Sequence, residues 1–258
     1  MRDVTVCFTY FKSLGLANLG AALYSVRRQK TSRVASVVIV ANDVSDSTEM
    51  IEAVINGLSF PVPVRLLSFG HGDPTKTHSW STNAAVREAG TPWVLFTRAD
   101  YLLDFDALGR FLEVVDARPD GWDGFVTGNV RHLHVPIEAC EQTDWRQNGA
   151  VVLRGLHGTE EDYMHIDAGV WLARKAAFDR VGGLDEALSA WGHAQTHFQH
   201  KLYQTGTEFV RIPESMFYHP KHVARRDIDV AHQQLREHGV SLKEMWARYE
   251  GVNPYASL

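Results

Sequence analysis

An arginine and an aspartate stand two residues apart at the end of an apolar segment, in the stretch Phe96–Asp104 (FTRADYLLD). The planar guanidinium of Arg98 matches phosphate oxygens in pairs, and the carboxylate of Asp100 is of the kind that holds a divalent cation. The pair therefore offers two ways to bind a phosphate, directly through Arg98 or through a cation held by Asp100. A third interpretation is a salt bridge with no part in binding.

The elements that would position these residues alternate between strand-like and helix-like patterns over the first hundred residues. Such alternation predicts crossover units around a mainly parallel sheet, in which ligands bind at the carboxyl ends of the strands. The predicted strands are Val4–Thr9, Val34–Ala41, Val62–Phe69 and Trp93–Thr97, and the predicted helices are Leu16–Arg28, Ser47–Gly57 and Ser81–Ala89.

The second half of the chain is less regular. Apolar spacing predicts a helix over Asp106–Asp116, strands over Gly124–Val130 and Ala168–Ala173, and a short helix over Arg174–Arg180. The segment Cys140–Gly158 is predicted to be a polar, tryptophan-containing excursion, and Asp227–Tyr249 to be a helical tail.

Composition limits the class of protein. The 258 residues carry a formal net charge of -5 at a sequence pI near 6.2, which argues against a surface built as a whole to bind nucleic acid. Cys7 and Cys140 are too few and too far apart for a zinc motif or a disulfide framework. We find no signal peptide and no apolar run of the ~18 residues that a membrane span needs, so we expect a cytoplasmic protein with no integral membrane segment.

Four segments, in order, resemble those of family 2 glycosyltransferases with the GT-A fold. They are VTVCFTYFK (Val4–Lys12), VVIVANDVSD (Val37–Asp46), STNAAVREAGTPWVLFTRAD (Ser81–Asp100) and AGVWLARKAAFDRVGGLDEALSAWGHAQTHF (Ala168–Phe198). The resemblance implies an α/β nucleotide-diphospho-sugar transferase fold, with a mixed, mainly parallel central sheet flanked by helices. It also implies a nucleotide-sugar-binding half over residues 1–104, an acceptor-binding half of the same domain over 105–222, and a C-terminal helical extension over 223–258.

The same resemblance implies an activity. The protein would transfer a hexosyl or pentosyl group from a UDP- or GDP-sugar donor to an acceptor, which would be a glycan, a small molecule, a protein or a nucleic acid. Inversion or retention of configuration stays open, as does the oligomeric state. The alternative is a catalytically inactive relative that binds a sugar or nucleotide and acts as an interaction module.

Residues at the ends of the first strands are implied to bind the donor. Thr9, Tyr10 and Phe11 would line the base and ribose, and Asn42 or Asp43 would read the base, although Asp43 is equally suited to cap the following helix. The full set implied to bind the donor is Thr9, Tyr10, Phe11, Asn42, Asp43, Asn83, Arg98, Ala99 and Asp100.

The sequence departs from the family at the metal-binding Asp-x-Asp motif. Arg98 replaces the first aspartate and Asp100 keeps the second, which changes the charge by about two units. Arg98 either contacts the diphosphate and replaces the Mn2+ or Mg2+ ion, which would allow metal-independent activity, or it pairs with Asp100 or Asp104. In the second case a weaker metal site would consist of Asp100 and His219, with His222 as the alternative.

A second departure lies in the acceptor motif, where the family has Trp-Gly-Gly-Glu-Asp. Trp191 and Gly192 are kept, but Ala194 and Gln195 stand at the two acidic positions, and neither can act as a base. The candidate bases are His193 and the upstream acids Glu160, Glu161, Asp162 and Asp167, of which Asp167 is the best placed, or the leaving phosphate receives the proton. The predicted catalytic residues are Asp100, Arg98, His193 and Asp167, and the predicted acceptor contacts are Trp191, Gly192, His193 and Gln195.

Overall fold

The computed structural model describes residues 3–11, 14–42, 48–69, 78–161, 169–187 and 193–222. For residues 160, 161, 193 and 196 it describes the backbone alone. Five of the predicted site residues and the predicted helical extension lie outside the described residues: Asp43, Asp162, Asp167, Trp191, Gly192 and 223–258.

The first half forms the predicted alternation of strands and helices. The strands are β1 (Val4–Phe11), β2 (Val34–Asn42), β3 (Val64–Ser68) and β4 (Trp93–Arg98), and the helices are α1 (Gly15–Arg27), α2 (Thr48–Leu58) and α3 (His78–Arg87). β-Branched and aromatic side chains dominate β1, β2 and β4, because they pack well on a pleated surface that is buried on both faces, whereas the edge strand β3 is only partly buried.

The second half adds antiparallel pairing and shorter helices. The strands are β5 (Leu102–Leu103), β6 (Gly124–Leu133), β7 (Gly158–Glu161), β8 (Trp171–Arg174) and β9 (Glu208–His219). The helices are α4 (Ala107–Asp116), α5 (Ile137–Glu141), α6 (Trp145–Asn148), α7 (Lys175–Arg180) and α8 (His193–Gln204), and a 3-10 helix spans Ala150–Gly155.

Within the described residues these strands form one sheet, in the order β3-β2-β1-β4-β8-β6-β9-β5, with β7 paired to β6. The pairs β3-β2, β2-β1 and β1-β4 are parallel, whereas β8 is antiparallel to both β4 and β6. The predicted mixed, mainly parallel sheet is therefore confirmed. In sheets of this kind the ligand crevice lies at the carboxyl ends of the parallel strands.

Strand register brings distant residues to that edge. Thr9 on β1 lies opposite Arg98 on β4, and the amide of Ala99 donates to the carbonyl oxygen of Thr9 at 3.1 Å. Further along the sheet, where β9 pairs with β6, His219 at the end of β9 lies opposite His132 on β6. Because β9 also pairs with β5 just after Arg98, the ends of β4 and β9 converge.

The hydrophobic core consists of two clusters of side chains, one on each face of the sheet. Along β1, Val6, Phe8 and Tyr10 belong to the larger cluster and Cys7 to the smaller one, as the period of two in a strand requires. Each cluster thus covers one face of the sheet, and β1 is buried on both.

The prediction of a polar excursion over Cys140–Gly158 is wrong. Trp145 and Leu153 are fully buried in the larger cluster, and Tyr24 of α1 donates a hydrogen bond to the carbonyl oxygen of Arg146 at 2.7 Å. The short helices here hold too few turns to give a periodic apolar signal, so burial against α1 could not be read from the sequence.

We expect Gly183→Ala to destabilise the protein by roughly 2–4 kcal/mol, against roughly 1–2 kcal/mol for Gly182→Ala. Both glycines have positive φ, +67° and +72°, but a Cβ at Gly183 would lie 2.5 Å from Oδ1 of Asn83 and 2.7 Å from the Phe178 ring, whereas one at Gly182 meets nothing within 4 Å. Urea unfolding of both variants measures the difference. Equal losses would mean that the contact with Asn83 does not constrain the turn.

Both thiols should resist modification in the folded protein. Burial raises the pKa of Cys7, which is fully buried and donates to the carbonyl oxygen of Ala85, and burial followed by the charge of Glu141 raises the pKa of Cys140 to about 12. Since only thiolates react, an aromatic disulfide reagent should titrate neither cysteine until denaturant is added. Rapid labelling of either thiol in native buffer would contradict this packing.

Candidate functional site

A buried ion pair forms the corner at the end of β4. Arg98 donates from Nε to Oδ1 of Asp100 at 3.1 Å and from a terminal nitrogen to Oδ2 at 3.0 Å. The two residues are only 4% and 1% exposed. The guanidinium charge is therefore compensated inside the protein, as expected both if Arg98 pairs with Asp100 beside a weaker metal site and if the pair is a salt bridge with no part in binding.

This pairing keeps Asp100 ionised. Burial by itself would raise the pKa of Asp100, but the charge of Arg98, together with hydrogen bonds from His219 and His222, outweighs it. The pKa of Asp100 consequently lies well below its ordinary value, so the carboxylate is charged at neutral pH.

Two histidines complete a compact group around the same carboxylate oxygen. Nε2 of His219 and Nε2 of His222 each lie 3.1 Å from Oδ2 of Asp100, and the two nitrogens lie 3.0 Å from each other. Burial lowers the pKa of His219 against the effect of Asp100, so its contact with the carboxylate is a hydrogen bond of a neutral ring. These are the atoms that could hold a metal ion. The sequence offered His219 or His222, and the structure brings both together.

Two further side chains fix His219 in place. The ring of Tyr101 stacks on it at a centroid distance of 4.9 Å and an interplanar angle of 18°, and Nδ1 of His132 lies 3.0 Å from Nδ1 of His219. Tyr101 also contacts the guanidinium of Arg98, which lies 5.0 Å from the ring centroid. Neither His132 nor Tyr101 stood out in the sequence, because only the β6-β9 register and the turn after β4 bring them here.

The predicted donor residues at the ends of β1 and β2 lie at the same edge. Thr9 is fully buried, and its Oγ1 has no hydrogen-bond partner within the described part of the chain. Asn42, opposite Phe11 in the strand register, donates to the hydroxyl of Ser81 at 3.1 Å. Tyr10 is fully buried in the larger core cluster, and its contact with a donor base stays a prediction.

Asn83 lies on α3 in the first half of the chain, but its side-chain amide hydrogen-bonds a turn in the second half. Its Nδ2 donates to the carbonyl oxygen of Leu184 and to Glu186, both at 2.8 Å, and its Oδ1 accepts from the amide of Leu184 at 2.8 Å. Arg87 also binds Glu186, at 2.6 Å. The described contacts of Asn83 thus hold the turn before the acceptor motif, and its predicted contact with the donor remains untested.

Gln195, at one of the altered acidic positions, meets a buried histidine at the start of α3. Its Nε2 lies 3.2 Å from Nε2 of His78, whose ring centroid is 5.7 Å from that of Phe11. Burial, followed by the charge of Arg98, lowers the pKa of His78 to about 3. His78 is therefore neutral at physiological pH and joins the end of β1 to α8. His193 is the first residue of α8, and the contacts of its side chain lie outside the described residues.

The sequence matches the family model described as glycosyl transferase family 2 over residues 5–135, about half of the chain. The chain belongs to this family. The match covers β1 to β6 and includes the Arg98–Asp100 corner, and the predicted family is confirmed. A search of the curated proteins finds no match.

Solved glycosyltransferase structures share the fold. The chain is similar to S. aureus TarS 1-349 in complex with UDP-GlcNAc (TM-score 0.65, 14% identity, 91% of this chain and 65% of that one). It is also similar to the UDP complex of TarS (TM-score 0.60, 15% identity, 85% and 60% covered). A mannosyltransferase from Pyrobaculum calidifontis in complex with GDP-Man and Mn2+ gives a TM-score of 0.61 at 15% identity, with 95% and 63% covered.

These similarities confirm the GT-A fold. The chain spans 60% to 65% of the length of these three solved chains. In the part of the chain that the structure describes, no helix combines the length and apolar character required to cross a bilayer.

Breaking the buried pair from either side should cost about 3–5 kcal/mol of unfolding free energy, because each single change leaves one charge buried without its partner. We expect this for Arg98→Met and for Asp100→Leu in urea unfolding with a chelator present, and a smaller loss for the double variant. Lys30→Met serves as the control, since it removes an exposed pair with Asp106 and should cost less than about 1 kcal/mol. Additive losses in the double variant would show that the two charges do not stabilise each other.

Proposed function

We propose that this protein is a glycosyltransferase that transfers a sugar from a nucleoside-diphosphate donor to an acceptor, with a divalent cation at the Asp100 corner. The observation that carries the proposal is the meeting of Asp100, His219 and His222 beside Thr9 and Ala99, at the edge where this family binds its donor. A hexosyl group from UDP or GDP is the donor chemistry favoured by the UDP, UDP-GlcNAc and GDP-Man complexes of the similar structures.

Charge balance favours a cation over Arg98 as the group that meets the diphosphate. Arg98 and Asp100 together carry no net charge, and His219 is a neutral ring, so these three residues offer little attraction to a diphosphate. A divalent ion would give the corner a charge of about +2, which matches the roughly two negative charges of the leaving diphosphate. Mn2+ or Mg2+ would supply this charge neutralisation when bound. Activity without a metal would instead require Arg98 to leave Asp100.

The residues of this chain take distinct roles in the proposal. Asp100, His219 and His222 hold the cation, and Arg98 holds Asp100 in its ionised form. The hydroxyl of Thr9, which has no hydrogen-bond partner among the described residues, is suited to hydrogen-bond the donor. The remaining predicted contacts to base and ribose are Tyr10, Phe11, Asn42 and Asp43.

The acceptor is proposed to bind near the start of α8. Gln195 is held there by His78, and its amide can donate and accept hydrogen bonds but cannot remove a proton. His193 and Asp167 stay our candidates for the base, and Trp191 and Gly192 for the wall of the acceptor site. His78 is a poor candidate, because its low pKa makes it a weak proton acceptor.

We expect the purified protein to hydrolyse or transfer sugar from at least one member of a panel of labelled UDP- and GDP-sugars in the presence of Mn2+. Asp100→Asn should lower turnover about 100-fold or more, since it removes charge stabilisation at the reacting diphosphate. Asp106→Asn is the matched control, because Asp106 is exposed and pairs with Lys30, and its turnover should be unchanged.

Two results would count against this function. No turnover with any donor, together with no thermal shift on adding UDP or GDP with Mn2+, would exclude a nucleotide-sugar transferase. Nucleotide binding without turnover would instead support an inactive relative that binds the donor as an interaction module.

A further inference from the structure

We propose that Asn83 is a positioning residue for the acceptor side of the site and makes no contact with the donor. It acts by fixing the turn that contains Leu184 and Glu186 to α3, so that this one helix holds the chain on both sides of the acceptor motif. The inference rests on the proposed function for its effect on sugar transfer, whereas its evidence is the set of contacts around Asn83.

Both donors of the Asn83 side-chain amide are engaged within the protein. Asn83 is 5% exposed, and its Nδ2 donates to the carbonyl oxygen of Leu184 and to Oε1 of Glu186, both at 2.8 Å. Its Oδ1 accepts from the amide of Leu184 at 2.8 Å, and a Cβ at Gly183 would lie 2.5 Å from the same oxygen. Since an asparagine amide has only two N–H groups, none is left for a nucleotide.

The turn that Asn83 binds is also attached to α8. Lys201 of α8 donates to the carbonyl oxygens of Val181 and Gly183, at 2.9 and 2.6 Å. Leu184 is 2% exposed and belongs to the smaller core cluster, which includes side chains of both α3 and α8. The turn therefore transmits the position of α3 to α8.

Helix α3 meets the acceptor side at two points along the chain. Its first residue, His78, lies 3.2 Å from Gln195 of the acceptor motif, measured between the two Nε2 atoms. Further along the same helix, Asn83 binds the turn at Glu186. The predicted acceptor contacts at 191–193 come between Glu186 and Gln195 in the sequence. The chain before and after these contacts is thus fixed to the helix that flanks the donor edge.

Such a connection affects the rate of transfer more than donor binding. A misplacement of about 1 Å caused by a change far from the chemistry can lower a rate about 100-fold, because the reacting groups no longer meet in line. The donor itself is proposed to bind at the strand ends and at Asp100, which Asn83 does not contact among the described residues. Loss of Asn83 should therefore lower kcat at an unchanged KM for the nucleotide sugar.

Hydrogen exchange of the full chain without nucleotide tests the positioning role. In Asn83→Ala we expect exchange about 10-fold faster or more at the amide of Leu184 and at 197–200 in α8, with unchanged rates in β2. Asn83→Asp keeps the acceptor for Leu184 but loses both donors and faces Glu186 with a second negative charge, so exchange should rise there too. Adding Glu186→Gln supplies a new donor and should restore most of the protection. Glu88→Gln is the control, because Glu88 follows α3, pairs with the exposed Arg65 and should leave all rates unchanged.

Turnover with a nucleotide sugar that the wild-type protein uses tests the functional consequence. Asn83→Ala should lower kcat about 10-fold or more, and leave the KM for that donor and the affinity for free UDP or GDP within about 2-fold. A rise of about 10-fold in this KM, or a similar loss of nucleotide affinity, would show that Asn83 contacts the donor and would overturn the proposal.

Three further results would contradict the positioning role. They are unchanged exchange at 197–200 in Asn83→Ala, a uniform rise of exchange over the whole chain, and no gain in protection when Glu186→Gln is added to Asn83→Asp. The Asn83→Asp pair of variants keeps the test decisive if Asn83→Ala does not fold. If the wild-type protein transfers no sugar from any donor, the proposed function fails, whereas the exchange experiment still decides whether Asn83 holds α8 in place.

Discussion

The ion pair between Arg98 and Asp100 is the interaction on which the rest of the site depends. A carboxylate only 1% exposed is costly to keep ionised, and a bidentate guanidinium supplies both the charge and the hydrogen bonds that make it possible. Arg98 and Asp100 are only two positions apart, and their two hydrogen bonds fix the orientation of the carboxylate. Oδ2 of Asp100 therefore faces the end of β9. His219 and His222 can converge there only because that oxygen is fixed and charged.

The arginine changes how the corner can serve a diphosphate. In a two-aspartate motif the protein supplies two negative charges, and these neutralise most of the charge of a divalent ion. Here the protein supplies one negative charge that already has a partner, so an added ion would keep more of its charge for the substrate. Neutral histidines can take the place of the lost carboxylate as ligands without changing this balance. The exchange of Asp for Arg is thus compatible with a metal site, provided that other residues complete it.

Helix α3 links the two halves of the molecule. Its first residue, His78, meets Gln195 on α8, and Asn83 and Arg87 bind the turn that contains Leu184 and Glu186. Lys201 of α8 donates to the carbonyl oxygens of Val181 and Gly183 in the same turn, at 2.9 and 2.6 Å. The start of the acceptor motif is therefore tied to the helix that flanks the donor edge. In the proposed function, such a connection would keep the donor and acceptor sites in register, as positioning for group transfer requires.

The sequence alone determined the sheet of the first half, because β1, β2 and β4 are predominantly apolar segments and each is followed by polar residues. It also determined Asp100 and Arg98 as the central residues of the site, since local charge at a strand end is visible without a fold. Long-range pairing decided the rest: His132 joins His219 only through the β6-β9 register, and His78 meets Gln195 across 117 positions of the chain. Whether the guanidinium of Arg98 faces a phosphate or pairs with Asp100 likewise depends on side-chain geometry in this buried corner. Composition and periodicity carry no information on such contacts, because they describe which face a residue occupies but not which distant residue it meets there.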